Sequence, residues 1–443
     1  MKLALISLGC SKNLVDSENY LGILVNNRNF TITRKINEAD IAIVNTCGFI
    51  GDAKEESIEA ILEVAEHKKD KKDLKLIVTG CLAQRYKQDL IDEIPEIDAV
   101  IGTGQVDQIL EIVDSLSIGK QEIICESLGF LPNSDTDRIL TTPKHTAYIK
   151  IAEGCNRRCS YCIIPQLRGP LKSRTIEDIV DEAKKLATNG VKELNVLAQE
   201  TTEYGHDIYG KPALADLLKE LVKIEDIQWI RIYYMYPASF TNELFQLMKN
   251  EPKICKYFDI PIQHISNNIL KTMSRAHSSE GTKRILRNIR KEIPDAALRT
   301  SVIVGFPGET EENFQELLNF IKEIEFDYIG VFKYSREENT IAHDLANQIN
   351  ENIKEERWAI LMNLQREISE KRNKKSITNI VNVMVDGISS ESEYLLEGRS
   401  QYQAYDIDGK ILINDGSGIP GEIVKVKIEQ SFDYDFIGHI VSK

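Results

Sequence analysis

The chain has 443 residues, of which 42% are hydrophobic, and a formal net charge of −14. Length sets an expectation of about three domains, and this composition is that of a globular protein with large buried cores. The acidity disfavours non-specific nucleic-acid binding by the chain as a whole. No apolar run approaches the roughly 18 residues of a membrane span, so no membrane partner and a cytoplasmic location are expected. The opening MKLALISLGC reads as a first strand rather than a signal peptide.

Residues 1–115 alternate strand and helix, with strands predicted at 2–8, 40–45, 74–79 and 98–102. Between them Glu55 to Val64 is helical, and Ile58, Ile61, Leu62 and Ala65 follow the spacing of one apolar face. Such alternation predicts an open parallel sheet with helices on both sides. Residues 117–145 hold prolines and many polar residues without a period, and read as a connection. The alternation then resumes, with strands predicted near 146–151, 193–197, 229–233, 257–260, 299–304 and 328–332. Six β/α repeats suit a full or partial parallel barrel, whose chemistry gathers on the loops after the strand C-termini. A long charged helix over 350–372 carries an apolar stripe of Trp358, Leu361, Leu364 and Ile368. Beyond 376, short alternating runs such as NIVNVMV and EIVKVKI, separated by Gly and Asp turns, predict a small antiparallel β-barrel.

Eight cysteines are Cys10, Cys47, Cys81, Cys125, Cys155, Cys159, Cys162 and Cys255. In a reducing cytoplasm they should not form disulfides, so metal binding or catalysis is the leading explanation for any cluster of them. EGCNRRCSYCIIP spaces Cys155, Cys159 and Cys162 as C-x3-C-x2-C, right after the first barrel strand. Three thiolates on one short loop can hold three irons of a cubane cluster and leave the fourth open to a substrate or cofactor. A structural zinc site is the plain alternative. Such sites are closed and four-coordinate, whereas no second Cys/His pair lies nearby in the sequence.

Three further thiols end strands: LISLGCSKN delivers Cys10, AIVNTCGFI delivers Cys47 and IVTGCLAQR delivers Cys81. Ligands of an open parallel sheet sit outside the carboxyl ends of its strands. The fold should therefore gather these three as a second set with one open iron; three ordinary buried cysteines are the alternative. Cys125 and Cys255 read as core or incidental thiols.

The pattern C-x3-C-x-aromatic-C, with Tyr161 as the aromatic, after the first strand of a β/α barrel resembles the radical S-adenosylmethionine (SAM) family. In that family the open iron chelates SAM, whose reductive cleavage gives methionine and a 5′-deoxyadenosyl radical. The resemblance implies SAM contacts at Tyr161 and at later strand ends: Gln199 and Glu200 after the second strand, Gln263 in DIPIQH and Gly305 in SVIVGFPGET. Gly305, Pro307 and Gly308 could equally make a turn, and Gln263 could serve loop backbone alone. Two three-cysteine sets and a small terminal barrel together resemble the radical-SAM methylthiotransferases over essentially the whole chain. That resemblance implies an α/β chain with four parts: an N-terminal methylthiotransferase domain with an open parallel α/β sheet (1–116), a linker (117–140), a radical-SAM (β/α)6-type partial barrel (141–371) and a TRAM barrel (373–440). It implies two 4Fe–4S clusters, one on Cys10, Cys47 and Cys81, the other on Cys155, Cys159 and Cys162. It also implies two SAM molecules, one for the methyl and one for the radical, and a low-potential electron donor as partner. No general base is nominated, because the bond broken is C–H and a carbon radical breaks it.

One branch of that family modifies an adenosine of tRNA; another modifies the β-carbon of an aspartate in small-subunit ribosomal protein twelve. GCSKNLVDSE at 9–18, CGFIGDAKEESI at 47–58 and CSYCIIPQLRGPLKSR from 159 look like the second branch. Glu200 departs from it, standing where that branch more often has Asp. Charge gives an independent argument. Residues 373–443 hold seven basic and eleven acidic side chains, a net of −4. A domain that grips tRNA phosphates should be basic, so this barrel suits a basic ribosomal protein and disfavours direct nucleic-acid binding. The tRNA reaction stands as the alternative, and a non-catalytic iron–sulfur electron carrier as a remote one.

Overall fold

The structure, a computed structural model, describes residues 1–28, 30–116 and 121–442. It divides into two compact units. The first comprises Met1–Thr141, Tyr148–Glu182 and Glu337–Thr340; the second comprises Thr142–Ala147, Ala183–Arg336 and Ile341–Lys443.

The first unit is built on a six-stranded parallel sheet. Its strands are β1 (Lys2–Ser7), β2 (Thr31–Ile32), β3 (Ile41–Thr46), β4 (Lys75–Gly80), β5 (Ala99–Ile101) and β6 (Glu122–Ile124), in spatial order β2-β1-β3-β4-β5-β6. Period-two alternation sorts the side chains of β3 onto two faces. Ala42 and Val44 join Val78, Ile61, Val64 and Ala65 in one core. Ile41 and Ile43 join Ile77, Tyr20, Leu21, Leu24 and Ile112 in another. Helix Gly51–Asp70 thus covers one face, and helices Ser11–Arg28 and Ile109–Leu116 cover the other, as a parallel sheet requires. The predicted helical stripe is half right: Ile61 and Ala65 are buried, but Ile58 and Leu62 face solvent, and Ser57 and Val64 complete the buried face.

Two short strands of this sheet, β2 and β6, escaped prediction because neither is long enough to show alternation. One of them, β6, lies within the segment read as a connection and pairs in parallel with β5. The rest of that segment is tied down; its residues 117–120 lie outside the described set. Arg138 pairs with the fully buried Glu18 at 2.6 Å, and the Thr141 amide donates to Glu18 at 2.7 Å. Gly22 permits this approach, since a Cβ there would stand 2.3 Å from the Arg138 backbone nitrogen. In a helix interior, alanine for glycine normally gains about 1 kcal/mol. Here overpacking against backbone reverses the sign, at about 1–3 kcal/mol. Gly22→Ala is therefore expected to lower the melting midpoint in calorimetry; a raised midpoint would mean that the 137–138 backbone yields.

Strand β7 (Thr146–Lys150) leads into a hairpin of β8 (Ala152–Glu153) and β9 (Lys172–Ser173). The second unit carries β10 (Glu193–Leu197), β11 (Trp229–Ile232), β12 (Tyr257–Asp259), β13 (Ala297–Val304) and β14 (Tyr328–Lys333). They form sheets ordered β11-β10-β7 and β12-β13-β14, bridged where Ile230 exchanges backbone hydrogen bonds with Lys253 and Cys255. Helices separate consecutive strands, so the arrangement is the expected partial barrel. Helix Glu351–Asn373 closes it with a face more polar than predicted: Leu361 and Ile368 are buried, but so are Lys354, Arg357, Gln365 and Ser369.

The chain ends in a closed five-stranded barrel of β15 (Ile380–Ile388), β16 (Leu396–Ser400), β17 (Ile411–Asp415), β18 (Ile423–Ser431) and β19 (Phe436–Ser442). Val383, Val385, Val424, Val426 and Ile428 fill its interior by strict alternation. One pairing departs from the antiparallel expectation, since β17 and β19 run parallel. Within this unit, side chains at the N-terminal ends of the barrel strands meet the terminal barrel. Glu193 pairs with Arg231 at 3.0 Å and Arg399 at 2.9 Å, His145 meets Asp386 at 2.8 Å, and Tyr257 donates to Asp408 at 2.7 Å.

Candidate metal centre

Strand order reverses at β1, whose neighbours are β2 and β3, and such a switch opens a crevice at the carboxyl edge. Register then places Ser7 opposite Asn45 and Asn45 opposite Thr79. Cys10, Cys47 and Cys81, two or three residues further on, therefore leave three adjacent strands at the same edge and the same height. Gly9 makes the approach possible. Its φ is +86°, and a Cβ there would stand 2.8 Å from Cys47 Cβ. Cys81 opens the helix Cys81–Tyr86, and Arg85 of that helix donates to Gly48 O at 3.0 Å, tying the second and third thiol loops. Cys125 also follows a strand, but two strands away from Cys81; its thiol lies 3.9 Å from Ala83 O and packs on the core. Cys255 is buried in the second unit.

The other three thiols ride on the loop pinched by β8 and β9. Ala152 pairs with Ser173, Glu153 pairs with Lys172, and the Cys155 amide donates to Gly169 O at 3.1 Å. Within the loop the Cys162 amide donates to Cys159 O at 3.0 Å, and the Arg157 amide to Cys155 Sγ at 3.4 Å. Tyr161 sits in this loop, between Cys159 and Cys162, half-buried. The two thiol sets share one apolar contact: Cys81, Ile163 and Leu167 form a buried cluster with Phe49 packed against it.

Beneath them lies a buried charge network that the sequence did not single out. Arg168 reaches Asp16 at 2.6 Å and Glu153 at 3.3 Å; Lys150 reaches Glu153 at 2.7 Å and also pairs with Asp16. Arg168 donates to Asn13 Oδ1 at 2.5 Å, and Asn13 Nδ2 donates to Leu8 O at 3.0 Å and Thr46 O at 2.9 Å. Asn13, Asp16 and Arg168 stand in the quoted stretches GCSKNLVDSE and CSYCIIPQLRGPLKSR, but polar side chains in a helix ordinarily read as solvent-facing. The electrostatics tie the thiols together. Burial and the neighbouring Cys81 push Cys47 up to about 12. Burial also raises Cys81, against the pull of Arg168. Cys10 is exposed at the surface; the groups packed around its thiol act to raise it, but Lys12 and Arg168 outweigh them and the thiol is lowered.

In the second unit the remaining sequence candidates stand at the C-terminal edge of the partial barrel. Glu200 is buried after β10 and accepts from Thr202 Oγ1 at 3.1 Å; Gln199 precedes it. Gln263 holds φ +66° and is bonded through its backbone to β13, its amide to Ser301 O and its carbonyl to the Ile303 amide, both at 2.8 Å. The Gly305 amide donates to Glu309 Oε2 at 3.0 Å, and His264 approaches the same carboxylate at 3.6 Å. Gln263 and Gly305 are thus brought together. Tyr234, just after β11, also holds a left-handed backbone, φ +58°. Non-glycine residues in this region carry strain that often marks functional edges.

The sequence matches the Radical SAM superfamily over residues 149–321 and the TRAM domain over 377–441; residues 2–102 match the Uncharacterized protein family UPF0004. Three curated relatives bear the name ribosomal protein uS12 methylthiotransferase RimO. The one from Geobacter sulfurreducens is 48% identical over 442 residues, covering 100% of this chain and 99% of the relative. Those from Clostridioides difficile (49% over 442 residues; 100% and 99%) and Myxococcus xanthus (46% over 441; 100% and 92%) agree. Among solved structures, the radical S-adenosylmethionine methyltransferase TsrM from Kitasatospora setae, with tryptophan and aza-SAM bound, superposes with a TM-score of 0.55 at 15% identity. The match covers 75% of this chain and 72% of that one, a likeness of fold.

Fold and matched segments together define a radical-SAM enzyme with a terminal TRAM barrel. More narrowly, the chain belongs to the ribosomal protein uS12 methylthiotransferase family. Membership brings 4Fe–4S clusters and SAM as cofactors. The residues present fit such groups: each set offers three thiols, and a buried guanidinium beside Cys10 and Cys81 offsets thiolate charge. Among the described residues no three His, Cys, Asp or Glu side chains close on a single metal ion. A four-iron cube instead takes its thiolates at separate corners.

Proposed function

We propose that this chain places a methylthio group on the β-carbon of an aspartate in ribosomal protein uS12. In this reading Cys155, Cys159 and Cys162 hold the cluster that engages SAM, and Cys10, Cys47 and Cys81 hold a second cluster. Bound there, the two clusters and SAM would supply a carbon radical for hydrogen abstraction and a site where sulfur is methylated. The chain's own residues hold and shield. The hairpin of β8 and β9 fixes the first thiol loop, Phe49, Ile163 and Leu167 exclude water beside Cys81, and Arg168 balances charge. Tyr161, Gln199, Glu200, Gln263 and Gly305 are assigned to SAM. The observation that carries the reading is the convergence of three strand-end thiols next to the C-x3-C-x2-C loop, with Cys81 packed on Ile163 and Leu167 of its continuation.

The substrate assignment rests on the relatives' names and on charge. Asp386, Asp408 and Arg399 are spent on internal pairs. Without them, residues 373–443 still set six lysines against nine carboxylates. That acidity supports a basic protein substrate over tRNA. The reading also places the enzyme in the cytoplasm with a low-potential electron donor; among the described residues no helix is long and apolar enough to cross a membrane. Reduced, reconstituted protein given SAM tests the enzyme class. Formation of 5′-deoxyadenosine, stimulated by uS12, supports the reading, and its complete absence favours a mere electron carrier.

A further inference from the structure

The chain supplies one side chain that touches all three strand-end loops, and one cation that grips it. Asn13 Nδ2 donates to the carbonyls of Leu8 and Thr46, the residues just before the Gly9–Cys10 and Cys47 positions. Its Oδ1 stands 3.9 Å from Cys81 Sγ and accepts from Arg168 Nη2 at 2.5 Å. The Asn13 carbonyl in turn accepts from Asn45 Nδ2 at 2.9 Å. Asn13 is 1% exposed and Arg168 2%, so water cannot substitute for either. Arg168 belongs to helix Ile164–Arg168, which directly continues the loop of Cys155, Cys159 and Cys162.

Resting on the two-cluster reading, we propose that Asn13 and Arg168 are a positioning pair: Asn13 sets the spacing of Cys10, Cys47 and Cys81, and Arg168 fixes Asn13 and the charge that their cluster experiences. An amide that bonds two carbonyls and one guanidinium has a single orientation, so the loops it joins cannot drift independently. A guanidinium stays charged when buried, and in a low-dielectric interior that charge acts strongly on a neighbouring anionic group. Arg168 and Lys150 together balance Asp16 and Glu153. Removing Arg168 leaves one uncompensated carboxylate beside the thiols, which disfavours adding an electron to anything they hold.

The test uses the full chain with Cys155, Cys159 and Cys162 all changed to Ala, so that only the second cluster can form. Iron content, circular dichroism and an EPR-monitored reductive titration are read on this background and on added Arg168→Gln, Arg168→Lys and Asn13→Asp. The background is expected to hold one cluster. Arg168→Gln should keep it with a more negative midpoint potential, and Arg168→Lys, which retains the charge, should stay closer to the background. Asn13→Asp loses the donors to Leu8 and Thr46 and should retain less than half the iron. Unchanged iron in Asn13→Asp, together with an unchanged midpoint in Arg168→Gln, overturns the pair's role. If Arg168→Gln fails to fold, the iron content of Asn13→Asp decides alone. A background that binds no iron overturns instead the two-cluster reading on which it rests.

Discussion

Changing Cys81 to alanine is expected to remove about half of the iron from reconstituted protein, one cube of two, and to abolish methylthio transfer while leaving SAM cleavage in place. Cys81 is 6% exposed and opens the helix Cys81–Tyr86. Alanine is similar in size and a better helix former, so the fold should persist and the loss is one of ligation. Cys155, Cys159 and Cys162 sit on a separately braced hairpin loop; the radical-forming half therefore stays intact. Even removal of residues one shell out from a metal costs 10–100-fold, so loss of a ligand should lower product by at least about a hundredfold. Iron assay, 5′-deoxyadenosine by chromatography and product by mass spectrometry read the three parts. Cys125→Ala is the control and should keep all its iron. Full iron in Cys81→Ala would remove Cys81 from the ligand set.

Glu193→Ala should destabilise the second unit more than any surface change. Glu193 is fully buried and shared by Arg231 and Arg399. Truncating it leaves two guanidinium groups short of their shared carboxylate, and breaking a buried pair costs about 3–5 kcal/mol. In calorimetry that corresponds to a fall of about 10 °C for a unit of this size. The same carboxyl gives the wild-type protein an acid limb. Burial alone would raise it, but Arg399 and Arg231 prevail and hold it at about 2, below the usual 4.5. A depressed carboxyl stabilises the folded state above its unfolded value, and that stability drains away as pH falls from about 4.5 towards about 2, roughly 3 kcal/mol in all. Denaturant unfolding between pH 7 and pH 3 should show this limb in the wild type and a shallower one in Glu193→Ala. Equal slopes would mean that other carboxyls dominate.

What the sequence reveals and what it hides divide along physical lines. The strand ends carrying Cys10, Cys47 and Cys81 are legible because β1, β3 and β4 are apolar runs closed by a small turn and a thiol. The C-x3-C-x2-C loop is legible because three thiols in one loop are improbable by accident. The barrel strands β10 to β14 are legible because each is a compact apolar run between amphipathic helices. Asn13, Asp16 and Arg168 are not, since a buried polar side chain in a helix leaves the same letter pattern as an exposed one. Glu193 and Arg399 are hidden for another reason: they pair across most of the second unit, and no local period records a partner so distant in sequence. Ile58 and Leu62 mislead in the opposite direction, since apolar letters at helical spacing turned out to face solvent.

The acidic terminal barrel is the feature on which the choice of substrate turns, and the structure refines the argument. Asp386, Asp408 and the barrel's one arginine are taken up in largely buried pairs, and the acidic side chains that remain outnumber the lysines nine to six. One anaerobic reaction tests the central claim most directly. Reconstituted protein with SAM, reductant and sulfide is offered uS12 and tRNA together, and both are analysed by mass spectrometry. A methylthio group on an aspartate of uS12, with tRNA unmodified, is the expected result. A methylthioadenosine in tRNA, with uS12 untouched, would contradict it.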